Sequence, residues 1–366
     1  MDKHNINNNS EERKNDTADR KTYRGSRSWR KLRIALIVII VLAAVAGVTG
    51  LLGWNYVMKP YSGEDKWLKI PAYSSASQVK DSLTATLGKE FGGRVFKLWQ
   101  YQDGTTMKAH GAYLIKSGDK CFYIARRLRS GMQTPVKGVW NNGRDVEDMA
   151  RKLTADLECT PDDFIATMER VLPNKGFNRE NFSAAFIPDT YEFYWSSSAS
   201  EVVNRLIEYR DRFWTPERKK KAEQLGLTEN EVVTLASIVE EESAKRDEYG
   251  KIARLYINRL NIDMPLQADP TLKFAAGDPS IRRLTRQHTN IESPYNTYKY
   301  KGLPPGPIRL VDKRTIDAVL DAPEHDYLYM CAKEDFSGYH NFAKDYSTHQ
   351  INARRYQQEL DRRNIH

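Results

Sequence analysis

Apolar residues occupy every position that matters from residue 34 to 54, IALIVIIVLAAVAGVTGLLGW, a stretch of 21 residues without a charge. About 20 such residues span a bilayer as a helix, so residues 33–58 are expected to form one transmembrane helix. Beyond it the pattern changes to short alternating runs and helical stripes. Trp67 to Ile70 and Ala112 to Ile115 read as strands, Ala76 to Leu87 as a helix begun at Ser75, and Lys120 to Ser130 as a helix ended by Gly131. Val136 to Trp140 reads as a further strand, followed by helical patterns over Val146–Leu157 and Asp162–Val171, the latter opened by Thr160-Pro161. Three helical runs are expected between about 196 and 262, including Glu201 to Trp214 and a run opened by Thr228 with Glu231 three residues on, a capping-box spacing. The fold class expected for the part after the membrane helix is α+β, a small mixed domain over 59–134 and a mostly helical one over 135–366.

Charge settles how the apolar run is read. Ten Lys/Arg stand against five Asp/Glu in residues 1–33, which accounts for +5 of the net +9. Residues 1–32, poor in large apolar side chains, are expected to be a disordered basic tail kept in the cytoplasm by the positive-inside rule. Everything after Trp54 then faces outward. A cleaved signal peptide is the competing reading, since Ala44-Val45-Ala46 resembles a cleavage site, but the apolar run exceeds the usual ~7 to 15 residues and a long tail precedes it. The basic tail is explained by topology and contact with the lipid bilayer, so nucleic acid is not expected as a partner. Cys121, Cys159 and Cys331 have neither disulfide-framework nor metal-ligand spacing, and the seven histidines include no HExxH, so neither metal nor cofactor is expected.

One carboxylate stands where a core residue is expected. In Leu235 to Ser243, LASIVEEES, 100° per residue aligns Glu242 with Leu235 and Ile238, while Glu240 points almost opposite and Glu241 to the side. Desolvation on an apolar face raises a carboxyl pKa and keeps the group protonated near neutrality, the state a general acid needs. The plainer alternative is a solubilising Glu at the rim of the core.

The blocks around it change the weighing. LASIVEEES, INRL at 257–260, LQADPT at 266–271, SPYNTYKYKGLPPGPI at 293–308 and IPDTYEFYW at 187–195 occur together and in an order that resembles the YceG-like, or MltG-type, endolytic murein transglycosylases over roughly residues 65 to 355. The resemblance implies a membrane-anchored lyase in the bacterial inner membrane, with its catalytic domain periplasmic. It would cut the MurNAc–GlcNAc bond inside nascent peptidoglycan glycan strands to leave 1,6-anhydro-MurNAc ends, releasing or terminating new chains beside peptidoglycan synthases. It also implies a LysM-like domain over 59–134, the catalytic domain over 135–366, and Glu242 as the single acid and base. Where relatives carry Lys between two acids, this chain has Glu241, and the extra negative charge is expected to raise the Glu242 pKa further.

Candidate substrate-binding residues are Gln267 and Asp269 on one loop and Tyr295, Asn296, Thr297 and Tyr298 on another, amides, hydroxyls and rings of the kind that meet sugars. Asn258 and Arg259 either orient substrate or tie elements together, and His340, in the late block GYHNFAKDYSTH, either reaches the site or packs a turn. Gly302 to Pro307 is a proline-stiffened loop expected to wall a cleft. Asp189 is a candidate second carboxylate for hydrolysis, though Asp before Thr more readily serves a turn. Two rivals remain: a noncatalytic peptidoglycan-binding scaffold, and a muramidase that uses water.

Overall fold

The structure is a computed structural model that describes residues 12–140, 145–278, 281 and 284–363. The chain divides into two compact units after Met132.

The first unit begins with a long helix, α1 (Glu12–Val57). Within it Trp29–Val57, whose most apolar 18-residue window has a mean hydropathy of 2.9, is the one helix among the described residues long and apolar enough to cross a membrane. Residues 1–11 of the expected tail lie outside the described residues, but from Glu12 onward the tail is helical rather than disordered. The apolar segment supplies the costly nucleus, and each residue added upstream gains a hydrogen bond, with Arg, Lys and Glu all good helix formers.

After α1, strand β1 (Lys66–Ile70) pairs antiparallel with β2 (Gly111–Ile115), Lys66 opposite Ile115 and Ile70 opposite Gly111. Leu68 and Ile70 alternate inward from β1 as a period-two strand requires. Between the strands run α2 (Ala76–Leu87), α3 (Lys89–Tyr101) and a single turn α4 (Thr106–Ala109). α5 (Cys121–Ser130) follows and stops at Gly131, whose φ of 65° is left-handed. Ser75 and Gln78 close a capping box on α2. The sequence reading contained no α3, because Gly92-Gly93 weakens a helical pattern. Tertiary packing explains the first of these glycines: a Cβ at Gly92 would lie 2.3 Å from the Leu83 carbonyl oxygen, so α3 can pass α2 this closely only without one. Leu68, Ile70, Val79, Leu83, Val95, Trp99, Tyr113 and Ile124 fill the core between sheet and helices.

In the second unit β3 (Val136–Trp140) pairs antiparallel with β4 (Asp189–Phe193), Val136 opposite Phe193. Between them lie α6 (Val146–Thr154), which ends three residues before the expected Leu157, and α7 (Pro161–Val171), opened by the Thr160–Asp163 capping box. Four helices rather than three then follow: α8 (Ala199–Phe213), α9 (Pro216–Gln224), α10 (Glu229–Glu242) and α11 (Tyr249–Asn261). Thr215 caps α9 with Pro216 at its first position, which makes a separate helix of a basic run with little apolar periodicity. The chain continues through α12 (Asp269–Ala275), α13 (Arg286–Thr289) and α14 (Lys313–Leu320) to an antiparallel hairpin, β5 (Tyr329–Ala332) and β6 (His340–Ala343), and ends in α15 (Tyr346–Arg362).

α10 is the axis of this unit. Every residue from Val232 to Val239 is buried, with α11, α12 and α14 packed around the helix. A helix apolar on all sides belongs inside a core. Its last residue, Glu242, emerges where that burial ends.

Candidate active site

Because α10 is enclosed all round, the apolar stripe does not by itself separate its three terminal acids, and their partners do. Glu240 turns into the α14 side, where Oε2 accepts from the Thr315 hydroxyl at 2.7 Å and the Asp312 amide at 3.0 Å, with Arg309 3.4 Å from Oε1. Glu241 pairs with the same Arg309. Both carboxylates are therefore engaged away from Glu242, sharing one guanidinium. Glu242 instead accepts a hydrogen bond at Oε1 from the Tyr256 hydroxyl at 2.6 Å.

Burial pushes the Glu242 carboxyl up to about 7 from an ordinary 4.5; the Tyr256 hydrogen bond opposes this, the Asp269 charge adds to it, and Arg259 and Lys273 oppose it. The negative charge that raises it comes from Asp269, not from the acidic triplet as the sequence suggested. The carbonyl end of α10 acts in the same direction, since a helix C-terminus disfavours an anion.

α11 supplies one wall through residues one turn apart. Tyr256 is buried, with its hydroxyl aimed at Glu242, and burial followed by the neighbouring Glu242 charge holds the phenol well above its usual value, so it remains a donor. Arg259 is buried too: Nε donates to the Leu328 carbonyl at 2.6 Å and Nη1 to that of Leu266 at 2.7 Å, with the guanidinium 5.5 Å from the Tyr329 ring. It brings a permanent positive charge near the carboxyl while joining β5 to the turn before α12. Tyr256 is absent from the candidates read in the sequence. Its signal was only its place on the inner stripe of α11 with Ile252 and Arg259, which a packing tyrosine would share.

The two candidate loops are stitched to one another. Gln267, exposed and left-handed at φ 51°, donates its backbone N–H to the Thr297 carbonyl at 3.0 Å, and the Ala268 N–H donates to Thr297 Oγ1 at 3.0 Å. Thr271 Oγ1 lies 2.8 Å from Thr297 Oγ1. Asp269, exposed at the start of α12, accepts from the Tyr298 hydroxyl at 2.5 Å. Burial, then the Asp269 partner, pushes the Tyr298 phenol above its usual range. Asp269 and Tyr298 thus lie within electrostatic reach of Glu242, with Gln267 two residues before Asp269 on the same loop.

The other candidates serve the scaffold. Asn296 is fully buried, its amide donating to the carbonyls of Thr289 and Ile291 at 3.0 and 2.9 Å, and Thr297 is buried within the stitch just described, so neither side chain is free for a sugar. Asn258 ties α11 to the approach to β5 by donating to the carbonyls of His325 and Tyr327 at 2.6 and 3.1 Å. Tyr295 packs 4.7 Å from the Phe274 ring and donates to the Glu180 carbonyl at 3.1 Å. His340 is engaged by Glu248: Nδ1 lies 2.9 Å from Oε2 and its amide donates to Oε1 at 3.1 Å, which fastens β6 to the turn after α10. Residue type alone could not separate these roles, because a side chain that stabilises a polar loop looks like one that binds a polar ligand.

Asp189 is committed elsewhere. Its partial burial is outweighed by Lys313 Nζ at 2.6 Å, the Tyr209 hydroxyl and the Thr190 amide, which hold the carboxyl below its usual range. The Gly302–Pro305 loop borders a cavity of about 590 Å³, with Leu225, Thr228 and Thr234 on other sides. That cavity lies against Thr228 to Thr234, the first half of α10, which the helix rise puts roughly 12–20 Å from Glu242. No group of three or more His, Cys, Asp or Glu among the described residues could hold a metal ion.

Residues 68–355 match the model of the YceG-like family. The chain is 35% identical over 148 residues to the endolytic murein transglycosylase of Bacillus subtilis (strain 168), a match covering 40% of this chain and 41% of that protein. It is 33% identical over 158 residues to the protein of the same name from Streptococcus pneumoniae serotype 2, covering 42% and 28%. The chain therefore spans well under half the length of these relatives. A crystal structure of a yceG-like protein from Listeria monocytogenes superimposes with a TM-score of 0.51 at 26% identity, over 79% of this chain and 98% of that one. A family match across most of the chain, with a similar solved fold, makes this protein a member of the YceG-like family.

Proposed function

We propose that this protein is a membrane-anchored endolytic murein transglycosylase in which Glu242 acts as acid and then as base. The protonated carboxyl gives its proton to the oxygen between N-acetylmuramic acid and N-acetylglucosamine, and that bond breaks. The carboxylate left behind takes the proton from the C6 hydroxyl of the muramic residue as the C6 oxygen closes on C1. The products are a 1,6-anhydro end and a free C4 hydroxyl, with no water consumed and the enzyme returned to its starting state.

The observation that carries this reading is a single half-buried carboxyl raised to about 7, a value at which one group is both a competent acid and, once ionised, a competent base. Gln267, Asp269 and Tyr298 offer hydrogen-bonding groups to the sugar. The apolar Trp29–Val57 helix would anchor the chain in the cytoplasmic membrane with the second unit outside, beside the synthases that make new strands. The first unit would act as the LysM-like part that holds a strand. Its two strands joined by α2, α3 and the single turn α4, with the exposed Tyr73, Tyr101 and Met107, support that role.

A second reading has its own support. The Asp269 charge acts on Glu242, and two interacting carboxyls are what a water-using muramidase employs. Mass spectrometry of fragments released from uncrosslinked glycan strands separates the readings. Anhydro ends from the parent and none from Glu242→Gln are expected. Reducing ends would assign a muramidase, and intact strands with a folded parent would leave a binding scaffold.

A further inference from the structure

We propose that Tyr256 is a positioning residue of this site: its buried hydroxyl holds Oε1 of Glu242 and leaves Oε2 as the oxygen that exchanges protons with the glycan. The proposal rests on the acid–base reading of Glu242. It begins from geometry. The 2.6 Å hydrogen bond joins the last residue of α10 to the middle of α11, and the tyrosine is only 2% exposed. A phenol with ring and hydroxyl both fixed by packing cannot turn to follow a rotating carboxyl, so the carboxyl is turned to suit the phenol.

The choice of oxygen follows from donor chemistry. With its proton committed to Oε1, Tyr256 cannot also take a proton from the acid, so the acidic hydrogen of neutral Glu242 resides on Oε2. After the first transfer, the same hydrogen bond stabilises the new carboxylate at Oε1 while Oε2 awaits the C6 proton. One oxygen is thereby kept for structure and the other for both proton transfers, which confines the proton's path to one side of the carboxyl.

The remaining charged or titratable groups facing Glu242 are Arg259 from α11, Asp269 and Lys273 from α12, and Tyr298 from the loop stitched to α12. Arg259 is held by three backbone carbonyls, and Tyr298 is bonded to Asp269. Glu240 and Glu241 on its own helix are engaged by Arg309. Tyr256 is the hydroxyl seated on the carboxyl itself, and its removal should be felt there first.

The test is Tyr256→Phe in the full-length protein in detergent, read by the pH profile of kcat/KM and by a carbon-13 titration of the Glu242 carboxyl, with thermal unfolding as the fold control. A hydrogen bond to the ionised form lowers a pKa, so its loss is expected to move the Glu242 midpoint and the alkaline limb of kcat/KM together to higher pH, by roughly one to two units. On the acid plateau the folded variant should keep activity within about tenfold of the parent, since the proton-carrying group remains. Replacing Tyr256 by 3-fluorotyrosine, nearly the same size and a stronger donor, should move both to lower pH; it also serves if the phenylalanine variant fails to fold.

A midpoint and limb that stay in place in a folded variant overturn the proposal. A midpoint that moves as expected in a protein that cleaves nothing, parent included, upholds the positioning contact and sinks the transglycosylase reading instead.

Discussion

Glu242 is maintained against its own stability. Its folded-state pKa of about 7 lies above the ordinary 4.5, so between those values the native protein binds protons that the unfolded chain releases. Unfolding free energy therefore falls as pH rises through this window, and the loss is complete above about pH 7. The shift corresponds to about 3 kcal/mol at most, and partial exposure to solvent reduces it to about 1–3 kcal/mol. Glu242→Gln, which keeps an acceptor for Tyr256 and cannot ionise, is expected to unfold at a higher temperature than the parent at pH 8 and at nearly the same temperature at pH 4. Circular dichroism melts at both pH values check this, and equal melting temperatures at pH 8 would remove the desolvated carboxylate from the account. Among single residues, the carboxyl at an apolar helix end was visible in the sequence, whereas its partner Tyr256 was not. Helical phase says which side a residue lies on, and only the packed position of α11 says what that side meets.

Helices and turns of this chain are written mostly in local chemistry. Capping boxes at Ser75, Thr160, Ser198 and Thr228 open helices where their spacing implies, because an N-cap hydroxyl and a third-position acceptor satisfy orphan amides within four residues. Elements misjudged from sequence are those whose warrant is distant, as with α3 and its Gly92-Gly93 pair. The two glycines can be told apart by experiment. Gly92→Ala is expected to destabilise the protein by about 1–3 kcal/mol, since the new methyl would meet the backbone of α2. Gly93→Ala, with nothing within 4 Å of the added carbon, should be neutral or stabilising by up to about 1 kcal/mol. Urea unfolding of both variants measures the difference, and equal midpoints would mean that α2 and α3 do not approach as described.

At the scale of the whole molecule, the one membrane-length apolar helix among the described residues and the two compact units must be reconciled with the proposed glycan substrate, which would lie outside the cytoplasm. The full chain is expected to remain with membranes through an alkaline carbonate wash, and residues 59–366 expressed without the helix to leave them; recovery of the full chain in the wash would remove the anchor from the proposed function. The long apolar helix, the mixed helix-and-sheet class and the family blocks were legible because each is a property of contiguous sequence: a run of apolar residues, a period of two or 3.6, a fixed order of motifs. Sequence by itself also placed a carboxyl at the end of an apolar helix. Only the tertiary structure decided which polar residues stand around that carboxyl. It buried Asn296 and Thr297 in a loop stitch, spent Asn258 on backbone carbonyls and His340 on Glu248, tied Asp189 to Lys313, and brought Tyr256 onto Glu242. The reason is physical: hydrogen-bonding capacity is a property of a residue, but whether that capacity is consumed internally or left for a ligand depends on neighbours that the fold supplies from far along the chain.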